Sequence, residues 1–140
     1  MDALIFFAVF AQMMLTILLL LWMGWVRREA LNARAVSYSD IALDDRRWPD
    51  NARKISNYYK NQFELPVIFY VLCLIAIQIG HSGSMMASLA WAFVISRVIH
   101  AYIHTTSNIV LHRGAAFTAG LIIVAAMMIP LLLRMVSGAV

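Results

Sequence analysis

Cysteine is almost missing from this chain. The single residue Cys73 excludes an intramolecular disulfide and any Cys-x-x-Cys redox or zinc site. Its position in the middle of an apolar run reads as an inert core thiol. Charge is scarce as well: 13% of residues are charged and 63% hydrophobic, where a soluble domain carries ~25% and ~45–50%. That balance excludes a disordered chain and a small secreted scaffold. No Gly-rich phosphate loop, nucleophile elbow or internal repeat is present. The 140 residues make one domain's worth of chain. Their apolar content exceeds what so small a volume can bury, so the expected solvent is a lipid bilayer.

The uncharged runs carry the architecture. Ala3–Val26 holds 24 residues without a charge, and about 20 helical residues cross a ~30 Å hydrocarbon core. A cleaved signal would have a basic start and a shorter apolar stretch. This run follows Asp2, so it reads as a retained span. Leu65–Ser96 is uncharged for 32 residues, too long for one helix. Gly80-His81-Ser82-Gly83-Ser84 breaks it as a tight turn between antiparallel helices. Gly114–Leu133 is uncharged for 20 residues and contains Pro130, expected to kink or fray the last turn. The expectation is an all-α, four-helix membrane bundle forming one unit over 1–140. Its helices are placed at about 3–26, 50–79, 85–106 and 114–135. Open sheets leave unpaired edges in lipid, and barrel strands would alternate, which these runs do not.

Charge sets the expected orientation. Of 11 Lys and Arg residues, eight lie between Arg27 and Lys60. Arg113 is read in the loop after the third helix, on the same side, and only Arg134 lies opposite. The positive-inside rule therefore puts the first and third loops in the cytoplasm and both termini outside. Nucleic-acid binding is the other reading of a basic chain. It is disfavoured by Glu29, Asp40, Asp44, Asp45 and Asp50 within the same loop. Short loops and the lack of an organelle-targeting segment suggest a bacterial inner membrane.

Two polar stripes enter the bilayer. Trp48-Pro49-Asp50 reads as a helix start with Asp50 as N-cap. On one helix from Asp50 to Ile79, residues Arg53, Asn57, Lys60, Asn61 and Glu64 share a face. Arg97, His100, His104, Ser107 and Asn108 share a face of the third helix. An ionisable residue in lipid faces protein or a water-filled cavity. The two stripes therefore point to one site in the cytoplasmic half of the membrane, with a direct Glu64–Arg97 ion pair as an expectation. Buried Asn, Ser and His also serve as glue between helices, but the whole constellation exceeds what packing requires. Trp22, Trp25, Tyr58 and Tyr59 read as markers of the cytoplasmic interface. The paired methionines Met13-Met14, Met85-Met86 and Met127-Met128 read as lipid-facing or packing residues.

At Asn61-Gln62-Phe63-Glu64, followed by Pro66, the chain resembles the MAPEG family, the membrane-associated proteins in eicosanoid and glutathione metabolism. The segment Trp91-Ala92-Phe93-Val94-Ile95-Ser96-Arg97-Val98-Ile99-His100 is similar to the family's aromatic–Arg–x–x–His segment. Arg113 falls where the family carries a functional arginine at the start of the fourth helix. The resemblance implies a homotrimer with glutathione, a co-substrate, held between subunits near the cytoplasmic face. It further implies that Arg53, Lys60 and one of Arg27 or Arg28 hold the two carboxylates by charge-assisted hydrogen bonds. Glu64 would accept the ammonium, and Arg113, the expected catalytic residue, would approach the sulfur and favour thiolate. Asn57, Asn61, Arg97, His100 and His104 complete the expected glutathione-binding set. No metal site is expected.

The chain departs from the family at several of these positions. Asn57 stands where glutathione-using members have arginine, and Tyr59-Lys60 where some have His-Arg. His104 and Phe117 each replace a tyrosine, and Pro66 follows Glu64 sooner than is familiar. Each change removes or alters an expected glutathione contact. The leading expectation is a MAPEG-like glutathione transferase or peroxidase acting on lipophilic electrophiles. Three alternatives stay open: a non-catalytic membrane partner protein, a metal or haem protein using His100 and His104, and a small proton-coupled transporter using Glu64.

Overall fold

In a computed structural model, which describes residues 1–42 and 44–138, the chain is helical throughout, with no strand among the described residues. Leu43, Ala139 and Val140, which the expected unit 1–140 includes, lie outside the described residues. Helix α1 spans Asp2–Asn32, and the first loop carries a short helix α2, Tyr38–Ile41, and a 3-10 turn, Asp45–Arg47. Helix α3, Asp50–Lys60, leads through a 3-10 turn at Asn61–Phe63 into α4, Leu65–Gln78. Helices α5, Ser84–Thr105, and α6, Val110–Val136, follow. Four stretches are long and apolar enough to cross a membrane: α1, α3 with α4, α5 and α6.

The second span is not the single helix 50–79 that its hydropathy suggests. Pro66 sits in the first turn of α4. Without an N–H it cannot bond to the carbonyl of Gln62, and its ring crowds the turn before it. A first helical turn tolerates proline, so a new helix begins there. The chain tightens to 3-10 geometry at Asn61–Phe63, and Glu64 leaves helical geometry at φ −105, ψ −105. Asp50 is the first residue of α3, preceded by Pro49 at the cap position, rather than the expected N-cap. Helix α6 starts at Val110, one turn earlier than expected, which moves Arg113 from the loop onto the helix. It also runs through Pro130 to Val136. The break between α4 and α5 falls where expected, with Gly80 at φ +63, a left-handed conformation that costs glycine little.

The core lies along α5. Phe69 and Cys73 of α4, Ala90 and Phe93 of α5, Met127 of α6 and Ile5 of α1 are fully buried, and Phe69 stacks on Phe93 at 4.4 Å. Gly120 of α6 allows a close approach to α5, because a β-carbon there would lie 3.3 Å from Ser96 Oγ. Outward, the surface is apolar. Phe6, Phe7, Phe10, Leu18 and Leu21 of α1 and Ile122, Leu132 and Leu133 of α6 are exposed. Only 22% of the most apolar stretch of each of these helices is buried inside the protein. So much exposed apolar surface fits a bilayer and no aqueous setting. The chain is an integral membrane protein.

Contacts between the ends fix which loops lie together. The Lys54 ammonium donates to the Thr106 carbonyl at 3.2 Å, joining α3 to the α5–α6 loop. At the other end Ser82 donates to Asp2, and the Trp91 indole donates to the Leu4 carbonyl. The first and third loops thus share one end of the bundle. The N-terminus and the α4–α5 turn share the opposite end.

Candidate functional site

The break in the second span has a consequence for side-chain placement. Asn57 and Lys60 lie on the last turns of α3, Asn61 opens the 3-10 turn and Glu64 sits at the corner before α4. They form one wall of a cleft of about 350 Å³, and His104 from the end of α5 and Arg113 from the first turn of α6 form the other. Arg113 is steadied by Asn108, whose Oδ1 accepts its Nη1–H at 2.9 Å. Asn108 itself takes φ +52, a left-handed conformation that asparagine adopts more readily than most side chains. Six of the ten residues singled out in the sequence therefore meet in one place. They supply two fixed cations, one carboxylate, two amides and an imidazole.

Behind the cleft lies a buried polar layer. Arg97 is 0% exposed and His100 1%. The Tyr58 hydroxyl, also fully buried, donates to the Arg97 carbonyl at 2.6 Å. The Arg97 guanidinium lies over the Tyr58 ring at 5.5 Å from its centroid, a cation–π geometry. His100 meets Tyr58 edge-on at 5.2 Å, and His104 meets the same ring at 5.4 Å. Tyr58 is therefore a structural post at the centre of the polar layer, and the interfacial role expected for it is corrected. Tyrosine hides an apolar ring and offers one hydroxyl, which here finds a carbonyl.

The expected Glu64–Arg97 ion pair is not formed. Glu64 is exposed at the cleft, whereas the three guanidinium nitrogens of Arg97 are buried without a hydrogen-bond partner among the described residues. The cause is the helix break, which turns Glu64 out of the stripe that a continuous helix would present, while the Tyr58 ring fills the space against Arg97. Arg97 nonetheless faces the interior, as a charge within lipid must, since exposure there costs at least ~2.5–3.5 kcal/mol.

Two expected ligand-binding arginines stand elsewhere. Arg28 lies on an exposed face of α1 with Trp25, Glu29 and Asn32. Arg53 pairs with Asp50 one turn earlier on α3, at 3.2 Å, also on the surface. Arg27, the alternative to Arg28, donates to Ser56 Oγ at 2.8 Å and covers the Trp48 ring at 4.9 Å. It clamps α1 to the start of α3. The loop arginines Arg46 and Arg47 are likewise engaged locally. Asp44 accepts from Arg46 at 3.0 Å, an interaction that lowers the Asp44 pKa and raises that of Arg46. The Ser37 hydroxyl and N–H, with help from Arg47, hold the Asp40 carboxyl below its ordinary value.

Gln12 and Gln62 have a role that their places in an apolar run and in the Asn61–Glu64 motif did not assign them. Both are buried, and Gln12 Nε2 donates to Gln62 Oε1 at 2.8 Å. Thr16, one turn along α1, donates to the Gln12 carbonyl and approaches the same Gln62 oxygen at 3.4 Å. The signal was available: Gln12 and Thr16 are spaced i, i+4 in an otherwise apolar run. This link ties α1 to the 3-10 turn that carries Asn61 into the cleft. His100 and His104 have ring centroids 5.7 Å apart. Among the described residues no third His, Cys, Asp or Glu joins them in a group able to hold a metal.

The model of the MAPEG family matches residues 5–133, nearly the whole chain. No curated protein and no solved structure matches.

Proposed function

The chain belongs to the MAPEG family, and from that membership and the chemistry of the cleft we propose that it is a glutathione-dependent membrane enzyme, a transferase or peroxidase acting on lipophilic electrophiles. One observation carries the reading: Lys60, Glu64 and Arg113 converge with Asn57, Asn61 and His104 on one cleft at the end of the bundle. Glutathione presents two carboxylates, one ammonium and one thiol. Lys60 suits a carboxylate, Glu64 the ammonium, and the two asparagines the peptide groups between them. Arg113 suits the thiolate, since a fixed cation favours the ionised sulfur. The helices that carry the cleft expose apolar surface to the bilayer, from which a lipophilic electrophile would reach it.

The cleft is open, and one protomer offers it few cations for a ligand with two carboxylates. A homotrimer supplies the remainder, with a basic residue such as Arg28 or Arg53 reaching a neighbour's cleft from its exposed position. The cleft lies at the end of the bundle where the first and third loops meet, the basic side, which the positive-inside rule assigns to the cytoplasm, with the termini outside. A bacterial inner membrane is the proposed setting.

The test is thermal unfolding of detergent-solubilised protein with and without glutathione. A ligand at a hundred times its dissociation constant adds ~2.7 kcal/mol of stability. The wild type is expected to gain stability at millimolar glutathione, and Glu64→Gln to lose most of that gain. Intact protein that shows no shift would remove the glutathione reading.

A further inference from the structure

We propose that His104 is the base that takes the thiol proton of glutathione in the cleft, an inference that rests on the glutathione reading. Among the described residues, His104 is the one imidazole in the cleft lining. The residue is 3% exposed, and its Nδ1 is buried with no hydrogen-bond partner among the described residues. The ring is held in place by contacts with Tyr58 and His100, at 5.4 and 5.7 Å, and with Nδ1 turned inward, Nε2 is the ring nitrogen left to meet the cleft. Imidazole is also the side chain best matched to exchanging protons near neutrality.

Arg113 alone cannot complete the activation. A guanidinium stabilises a thiolate but accepts no proton, because it is already fully protonated. In the free cleft the acceptors are Glu64, engaged by the ligand's ammonium in the proposed mode, and His104. The groups facing His104 are His100 and Arg97 on its own helix, Tyr58, Lys60 and Glu64 from the second span, and Arg113 from α6. In the proposed step the S–H bond breaks and an N–H bond forms on the imidazole. The resulting thiolate lies among Arg113 and the imidazolium. With an aryl chloride, the sulfur lone pair forms the C–S bond, chloride leaves with the C–Cl pair, and His104 returns its proton to solvent.

The experiment uses the solubilised full chain, glutathione and chlorodinitrobenzene. Thiolate is read by its ultraviolet absorbance, and proton release by an indicator dye in weak buffer. In the wild type at neutral pH, thiolate should form on binding with no matching proton release, because the imidazole keeps the proton. His104→Gln should retain a glutathione-induced thermal shift, form thiolate only at higher pH, and lose about 10²-fold or more in kcat with the aryl chloride. A proton released for every thiolate formed by the wild type overturns the assignment of His104, whatever the variant's folding. An unchanged thiolate pH profile in a folded His104→Gln does the same, and both results leave the glutathione reading intact. No glutathione-induced shift in the wild type overturns both.

Discussion

Replacing Gln12 with leucine should destabilise the bundle and loosen the cleft, although Gln12 touches no residue that lines it. Its Nε2–H donates to Gln62 Oε1 at 2.8 Å, and both side chains are buried. In lipid, such interhelical bonds are worth ~0.6 kcal/mol on average and ~1.7 at most. Removing one partner also strands the other, and an unsatisfied buried polar group costs ~1–3 kcal/mol. Gln62 keeps a weaker contact at 3.4 Å from Thr16, which puts the expected loss for Gln12→Leu near the lower end, about 1–2 kcal/mol. Gln62→Leu should cost a similar amount. The double variant removes donor and acceptor together and should cost clearly less than the sum, by ~1 kcal/mol. Reversible unfolding titrations in mixed micelles on all four proteins measure the cycle. The glutathione-induced thermal shift, measured in parallel, should shrink in both single variants, because Gln62 sits in the turn that positions Asn61 and Glu64. Single-variant losses that sum to the double within ~0.3–0.5 kcal/mol would mean independent sites, and the proposed strut between α1 and the cleft would be refuted.

Other expectations follow from specific contacts. Glu64→Gln and Arg97→Gln should be additive in stability within ~0.3–0.5 kcal/mol, as for groups that share no contact; strong coupling in the same titration would restore the ion pair that the structure lacks. Gly120→Val should destabilise the bundle by ~1–3 kcal/mol through overpacking against Ser96 and Phe93. Gly114→Ala, in open space within the same helix, should be neutral or stabilising by up to ~1 kcal/mol, and the pair can be compared by detergent melting. In the first loop, the depressed Asp40 pKa means that its bonds to Ser37 are complete above the ordinary carboxylate range. They are lost as the pH falls through the lowered value, so Ser37 amide protection, read by NMR, should persist at neutral pH and vanish in strong acid.

The span count was legible because lipid imposes one rule that composition exposes directly: a continuous apolar stretch of sufficient length. The Gly80 turn was equally legible, since Gly80-His81-Ser82-Gly83 cannot sustain a helix between two apolar runs. The break at Asn61–Glu64 was less so. Hydropathy rises steadily from Asp50 to Ile79 and gives no sign of a corner. The sign was Pro66, whose effect falls on the turn before it, in residues that look helical by themselves. The helical wheel then placed Glu64 beside Arg97 because it assumed unbroken geometry. Tyr58 misled for a related reason. Tyrosine near a charge cluster at a membrane boundary fits the interfacial belt, and only packing reveals that the ring points inward to Arg97 and His100.

The same error explains why the candidate site divides into two layers. On a straight helix, Arg53, Asn57, Lys60, Asn61 and Glu64 form one stripe opposed to the stripe of α5, and every polar residue should meet its counterpart. The corner before α4 instead leaves the wall of Asn57, Lys60, Asn61 and Glu64 facing outward to the cleft. On α5, the residues one and two turns deeper than His104 lie against Tyr58 inside the bundle. His104 is the residue common to both layers: it lines the cleft and touches the Tyr58 ring. Any influence of buried Arg97 and His100 on chemistry in the cleft must therefore pass through Tyr58 and His104, or act as an electrostatic field across them. Tyr58→Phe separates these routes. It removes the hydroxyl bonded to the Arg97 carbonyl while keeping the ring, so packing around His104 survives. A field effect predicts little change in the thiolate pH profile, whereas a route that depends on the anchored position of α5 predicts a shift together with a loss of about 0.5–1.5 kcal/mol in stability.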